Sequence, residues 1–259
     1  MDSQIKNKKI LLVGCTGTIG SAFTEFLYKN GGSLILADLE SKKFTYFKRK
    51  YPKAIFINCD VTEENNVINL KNKIKKDYNS LDSIIFNVAL TSKMTKAKNL
   101  SFQNFENYSL QSWNNSISTN LTGAFLVAKN TINFLKKKGG SLIFISSIYG
   151  IVGPDNRIYS KQNFKTLSSY SASKAGLIGL SKWLATTYAH NKIRVNTIIP
   201  GGIKDKQNSL FIKKYSERVP MNRMGKPNEL NGILAFLIGD KSSYVTGQEF
   251  VVDGGLTTW

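Results

Sequence analysis

Apolar residues along the chain fall into short unbroken runs separated by longer stretches in which they recur every three or four positions. The runs are Lys9-Ile-Leu-Leu-Val13, Leu34-Ile-Leu-Ala37, Ala54-Ile-Phe-Ile-Asn58, Ser83-Ile-Ile-Phe86, Ser141-Leu-Ile-Phe-Ile145, Ile193 to Ile199 and Glu249-Phe-Val-Val252. Apart from Ile193 to Ile199, which carries Arg194, Asn196 and Thr197, they do not alternate with polar residues, which is the signature of strands buried on both faces. Helical spacing follows through Phe23, Phe26 and Leu27, then in a charged segment from Glu63 to Tyr78. It returns over Gln111 to Leu135, over Ser169 to His190 with Ala175, Leu177, Ile178, Leu180, Trp183 and Leu184, and over Asn228 to Ile238. Strands alternating with helices predict an α/β chain: a doubly wound parallel sheet with helices on both faces, three layers in all. No composition break splits it, so residues 1–259 form one domain. The polar stretches Leu90 to Leu110, 151–169 and 202–227 read as loops or short helices able to wall a pocket, the latter two as substrate loops.

The first strand runs into Gly14-Cys-Thr16-Gly17-Thr18-Ile19-Gly20 and then a helix. That order suits a Rossmann-type dinucleotide site. Glycines allow a tight turn and close backbone approach to a pyrophosphate, and N–H groups at the helix start bind the anion. The second strand ends at Asp38, eighteen residues beyond Gly20 and followed by Leu39, where a carboxylate accepts hydrogen bonds from the adenosine ribose. A carboxylate repels a 2′-phosphate, so NAD is expected over NADP, with Lys42 and Lys43 softening the preference. Asp38 as a helix N-cap is the alternative. Other strands also end in polar residues, at Asp60-Val61 and Asn87-Val88-Ala89. All these ends belong at one edge of the sheet, where such folds bind ligands.

Composition narrows the chemistry. With Cys15, Cys59 and the single His190, the chain lacks the ligands for a zinc cluster and the bases for a Ser-His or Cys-His machine. No metal site is expected. The formal charge of +19 raises nucleic-acid binding, but the lysines are scattered and no recognition helix or stacking platform accompanies them, so that class is set aside. No apolar run approaches the ~20 residues of a bilayer span, and the first residues lack a signal-peptide core, so a cytoplasmic protein without membrane attachment is expected.

Tyr170-Ser-Ala-Ser-Lys174 opens the helical stretch ending at His190. Residues four apart share a helix face, so the Lys174 ammonium can favour the Tyr170 phenolate. Lowering a phenol from 10 to 7 or 8 takes about 3 kcal/mol, and a tyrosine so tuned can transfer a proton at neutral pH.

Together these residues resemble the short-chain dehydrogenase/reductase family from about Lys8 to Gly255: the glycine loop, Asp60-Val61, Asn87-Val-Ala89, Asn120, Ser147, Tyr170 with Lys174, Pro200-Gly201 and the Gly247 to Gly255 ending, in that order. The resemblance implies an NAD(P)-dependent oxidoreductase with Tyr170 as general acid/base. Ser147 would orient the carbonyl or alcohol; it is preferred to Ser146 because the family's serine lies three residues before a glycine, here Gly150. Lys174 would hold the nicotinamide ribose and lower the Tyr170 pKa, and Asn120 would support a water-linked proton path to Lys174. Cofactor contacts are implied for Gly14, Thr16, Gly17, Thr18, Ile19, Gly20, Asp38, Leu39, Asp60, Val61, Asn87, Val88, Ala89, Pro200, Gly201 and Ile203. The pattern departs from the family at Val13, at Leu90, in the glycine spacing and in the threonine missing after Pro200-Gly201, which leaves the contacts of Cys15 and Thr16 open.

The interval between Ser147 and Tyr170 exceeds the family norm. Gly150 to Tyr159, Pro200-Gly-Gly-Ile203 and Arg218 to Arg223 look like a subgroup tied to flagellin modification and bacterial surface sugars of the legionaminic acid type. An anionic sugar-type substrate is then expected, with Arg157 pairing its phosphate or carboxylate and Asp155, Asn156 and Tyr159 meeting hydroxyls. A solvent-facing loop is the alternative for these four residues. A 3-oxoacyl or other small-carbonyl reductase, and a non-catalytic NAD-binding protein, are the competing functions. The apolar character of the helices at 111–135 and 169–190, and the habit of the family, suggest a homodimer or homotetramer.

Overall fold

A computed structural model of the chain describes residues 4–91, 105–159 and 167–259. The seven strands are β1 (Lys9–Val13), β2 (Ser33–Asp38), β3 (Ile55–Asn58), β4 (Ser83–Phe86), β5 (Gly140–Ile145), β6 (Ile193–Pro200) and β7 (Glu249–Val252). They form one sheet in the order β3-β2-β1-β4-β5-β6-β7, parallel at every pairing. The strand order reverses between β1 and β4, so their carboxyl ends bound the crevice in which such sheets hold ligands.

The unbroken apolar runs are explained by the two cores. Leu11 and Val13 of β1 face one, with Phe86, Phe144 and Val195 from β4, β5 and β6. Ile10 and Leu12 face the other, with Ile85, Ile143 and Ile198. Successive strand residues point to opposite faces, so both must be apolar when both are covered. The first core is closed by α3 (Glu64–Asp77), α5 (Gly123–Thr131) and α6 (Ser168–Tyr188), through Val67, Leu70, Val127, Leu177 and Leu184. The second is closed by α1 (Thr18–Lys29) and α8 (Asn231–Ile238), through Phe23, Leu27, Leu234 and Leu237.

Three features differ from the sequence reading. A helix not anticipated between β2 and β3, α2 (Lys42–Lys50), is capped by the Ser41 side chain and buries Phe44 and Phe47; Ser41, not Asp38, is its N-cap. The long helix expected over 111–135 is interrupted: α4 (Leu110–Ile117) passes through a π-helical turn at Ser118–Thr122 before α5. On α6 the buried stripe is built largely of Ser169, Ser173, Lys174 and Ser181 beside Leu177, Ile178 and Leu184, whereas Trp183 is exposed. Of the polar stretches, residues 92–104 and 160–166 lie outside the described residues. Within 202–227 the chain forms α7 (Ser209–Ser216).

Candidate active site

The three glycines after β1 answer to different demands. Gly14 has φ +85°, and a Cβ there would lie 2.9 Å from the Asn87 carbonyl carbon. Asn87, just past β4, donates its amide to the Gly14 carbonyl oxygen (2.9 Å) and so ties the loop to the neighbouring strand. Gly20 packs its α-carbon on the Gly14 carbonyl. Gly17 is crowded by neither; a Cβ there would have nothing nearer than 3.9 Å. Its α-carbon is free of close contacts at the start of α1, where first-turn N–H groups have no carbonyl of their own helix to bond. That is the space and donor set a pyrophosphate needs, and the dinucleotide fits the residues present: Gly17, Thr18 and Ile19 would hold the phosphates.

Around this loop the other strand ends converge. The Asp38 carboxylate accepts from the Thr16 backbone N–H (2.7 Å) and hydroxyl (2.8 Å) and from the Leu39 N–H (2.9 Å). Leu39 is exposed beside it. Asp60 accepts from the Thr62 N–H and hydroxyl. The Val61 side chain is buried, and Gly123 of α5 packs so closely on it that a Cβ would come within 2.7 Å; only its backbone is left to face a ligand. Val88 packs on the first core, and Ala89 leads into Leu90. Pro200 ends β6. A Cβ at Gly201 would meet Asp253 at 2.8 Å, and Ile203 bridges to Gly225.

The candidate proton-handling groups come from three separate elements, the end of β5, α6 and the π-helical turn. Ser147, directly after β5, is hydrogen-bonded with the Tyr170 hydroxyl and caps the turn Ile148–Gly150 by accepting from the Tyr149 N–H (3.2 Å). Ser146 instead donates to the Lys174 carbonyl (2.8 Å) inside the protein. The glycine three residues after Ser147 has a packing reason: a Cβ on Gly150 would fall 2.9 Å from the Lys174 carbonyl carbon. Tyr170 and Lys174 share one face of α6 as expected, with the ammonium 5.7 Å from the phenol centroid. Lys174 is nonetheless buried and donates to the Ile145 carbonyl oxygen (2.8 Å).

Electrostatics here run against the sequence expectation. Burial pushes the Tyr170 phenol up; the hydrogen bond with Ser147 pulls it down, and Tyr159 pushes it further up. The Lys174 ammonium is itself lowered by burial to about 7. In the protein alone, desolvation therefore dominates at both groups.

Asn120 sits fully buried in the π-helical turn. Its carbonyl accepts from the Leu90 N–H (2.6 Å), and its amide donates to the Leu90 carbonyl (3.3 Å) and to Ser173 Oγ (3.0 Å), one residue from Lys174. Ser173 donates in turn to the Tyr170 carbonyl (2.8 Å). Ser173 was missed in the sequence because a serine on a helix carries no spacing signal.

Beyond Ser147 the chain lines a cleft of about 660 Å³ that includes Tyr149, Asp155, Asn156, Arg157, Arg218 and Trp259. Asp155 caps the turn Asn156–Ile158. Its carboxylate is gripped by Arg157 (3.0 and 3.2 Å) and pairs with Arg218, so Arg157 meets an internal partner while most of its side chain stays exposed. Tyr159 is hydrogen-bonded with Tyr149 through their hydroxyls (2.9 Å) and packs on Phe211 of α7 at 5.7 Å. Arg218 was not anticipated; its pairing crosses between loops far apart in the chain. Among the described residues no group of three or more His, Cys, Asp or Glu can hold a metal ion, and no helix is long and apolar enough to cross a membrane.

A parallel sheet with a phosphate loop at its switch point and a Ser-Tyr-Lys set beside it defines a nicotinamide-dependent oxidoreductase. The family described as enoyl-(acyl carrier protein) reductase matches residues 14–257. The chain belongs to the short-chain dehydrogenase/reductases and is an NAD(P)-dependent oxidoreductase of that family. It is 29% identical to a post-translational flagellin modification protein A of Campylobacter coli, over 97% of this chain and 98% of the relative. It is 28% identical to a 3-oxoacyl-(acyl-carrier-protein) reductase of Thermotoga maritima, over 98% and 99%. A short-chain dehydrogenase from Leptospira borgpetersenii solved with bound NAD+ superposes with a TM-score of 0.87 at 31% identity, covering 99% of this chain and 95% of that one.

Proposed function

We propose that the enzyme interconverts a hydroxyl and a carbonyl on an anionic sugar-type substrate, with NAD preferred over NADP. The observation that carries this reading is the cleft that opens at Ile148 and Tyr149, directly after Ser147 in the chain, and is walled further by Asp155, Asn156 and the exposed Arg157. Carboxylate, amide and guanidinium groups together suit a polyhydroxylated, charged molecule, and the relative named for flagellin modification supports the same substrate class. Asp38 at the end of β2 supports NAD, because a carboxylate there would accept from ribose hydroxyls and repel a phosphate.

In the proposed reaction Ser147 donates to the substrate oxygen and fixes it against the Tyr170 hydroxyl. Tyr170 gives its proton to that oxygen on reduction and takes it back on oxidation. Lys174 holds the nicotinamide ribose, and Asn120 keeps α6 in register through Ser173. With the dinucleotide's phosphates held at the glycine loop, its nicotinamide would lie toward Lys174 and would supply or accept the hydride. Because burial holds Tyr170 protonated in the protein alone, reduction finds its acid ready. Phe125 and Trp183, exposed on α5 and α6, form the faces across which copies of the chain pair into a dimer or tetramer; a monomer in sedimentation at micromolar concentration contradicts this.

The test is nicotinamide absorbance with both cofactors, in both redox states, against hexosamine phosphates, nucleotide sugars, acidic sugars and 3-oxoacyl thioesters. Tyr170→Phe serves as control. Tyr170-dependent turnover of a sugar with NAD supports the reading. Turnover of thioesters and of no sugar replaces it with the reductase alternative, to which the Thermotoga relative belongs by name.

A further inference from the structure

Thr16 lies between the first two glycines of the phosphate loop, and a threonine hydroxyl has a single proton to donate. That proton goes to Asp38 Oδ2 (2.8 Å), the oxygen that also accepts the Thr16 backbone N–H (2.7 Å). Asp38 Oδ1 accepts the Leu39 N–H (2.9 Å). Oδ2 is thus saturated, and Oδ1 keeps one lone pair. Thr16 Oγ1, its proton turned to the carboxylate, has only acceptor capacity left to offer a ligand. At the end of β2 these two side chains therefore present acceptors and no donor. Lys43 of the adjoining helix has its ammonium 5.7 Å from the Phe47 ring centroid, and its charge is felt at Cys15 beside Thr16, so it works against the selectivity of this pair. Two vicinal hydroxyls, each with a proton to give, suit such a site. A phosphate monoester, all acceptors and close to doubly charged, does not.

We propose that Thr16 is the positioning residue through which Asp38 selects a ribose with a free 2′-hydroxyl: by clasping the carboxylate it fixes Oδ1 toward the ligand and turns its own hydroxyl into a second acceptor. The inference rests on the NAD preference proposed above and assigns that preference to a pair of residues.

Calorimetric titration of the cofactor-free enzyme with NAD+ and with NADP+ tests it, using wild type, Thr16→Val, Thr16→Ser and Thr16→Ala, with thermal melts of each. Valine keeps the shape and the backbone N–H bond and loses the hydroxyl; alanine reads the same loss should valine fail to fold. The expected result is a preference for NAD+ that narrows by about fivefold in Thr16→Val, as loss of one hydrogen bond implies, and is retained in Thr16→Ser. A ratio that stays within about twofold of wild type, or equal weakening of both dinucleotides, overturns the role of Thr16. A wild-type enzyme without preference overturns the reading of Asp38 itself.

Discussion

Replacing Lys174 with methionine should abolish turnover and yet make the cofactor-free enzyme more stable. The side chain is 2% exposed, and burial brings its ammonium from 10.5 to about 7. At 1.36 kcal/mol per pK unit, that difference puts the cost of keeping the buried side chain charged at roughly 4–5 kcal/mol. Methionine has similar length and no charge, but it gives up the hydrogen bond to the Ile145 carbonyl, about 1.5–3 kcal/mol for a charged donor. The net gain is about 1–3 kcal/mol, or roughly 3–8 °C for a chain of this size. The sign with pH is fixed by linkage. Because the folded-state value lies below the unfolded one, the unfolded chain holds the proton between about pH 7 and 10.5 while the folded one has released it. Wild-type stability therefore rises across that window, by up to ~1.4 kcal/mol per pH unit, and below about pH 7 the whole cost is present. The advantage of Lys174→Met should be largest near pH 6.5 and shrink by pH 9. Thermal melts of both proteins at pH 6.5, 8 and 9 check this. A methionine variant that melts lower at pH 6.5, or a gap that does not change with pH, would show that the ammonium is not held at a cost.

Gly17→Ala should fold with stability within about 1 kcal/mol of wild type yet bind dinucleotide at least about tenfold more weakly, whereas Gly20→Ala should destabilise by several-fold more than Gly17→Ala because the Gly14 carbonyl stands in the way; melts and titrations separate the two. Ser147→Ala should lose about 10²-fold or more in kcat with little change in melting, and Ser146→Ala, which strips a buried hydrogen bond from the Lys174 carbonyl, should lose about 1 kcal/mol of stability and keep most activity. The reverse pattern would exchange the roles of the two serines. Arg157→Ala should raise KM for an anionic sugar by about three- to tenfold at constant kcat; an unchanged KM leaves Arg157 a partner of Asp155 alone.

Strand positions were legible to within a residue or two because a sheet covered on both faces draws its strands mostly from apolar residues, the polar exceptions such as Ser83, Ser141, Arg194, Asn196 and Thr197 being few. Tyr170 and Lys174 sharing a face was legible from helix geometry. What escaped depends on contacts between distant parts of the chain. The π-helical turn is fixed by the bonds of Asn120 to Leu90 and Ser173, neither of which leaves a periodic mark. The helix Lys42–Lys50 was hidden by its charge, although the Ser41 cap and the spacing of Phe44 and Phe47 were there to be read. The direction of the Tyr170 shift was misjudged because spacing says which groups face each other and nothing about how much water both have lost. Arg218 escaped for a similar reason: its partner Asp155 belongs to another loop.

The order of the sheet bears on how the chain is made. β2 pairs with β1 and β3 with β2; β4 returns to β1, after which β5, β6 and β7 each add to the strand before. Every strand thus finds its neighbour already synthesised. A chain emerging from the ribosome amino end first can lay the sheet down from the middle outward, first to one side and then to the other. The largest wait is for β4, whose place beside Ile10 to Val13 stands open while residues 14–82 are being made. An apolar edge exposed for that interval is the point at which assembly and aggregation compete.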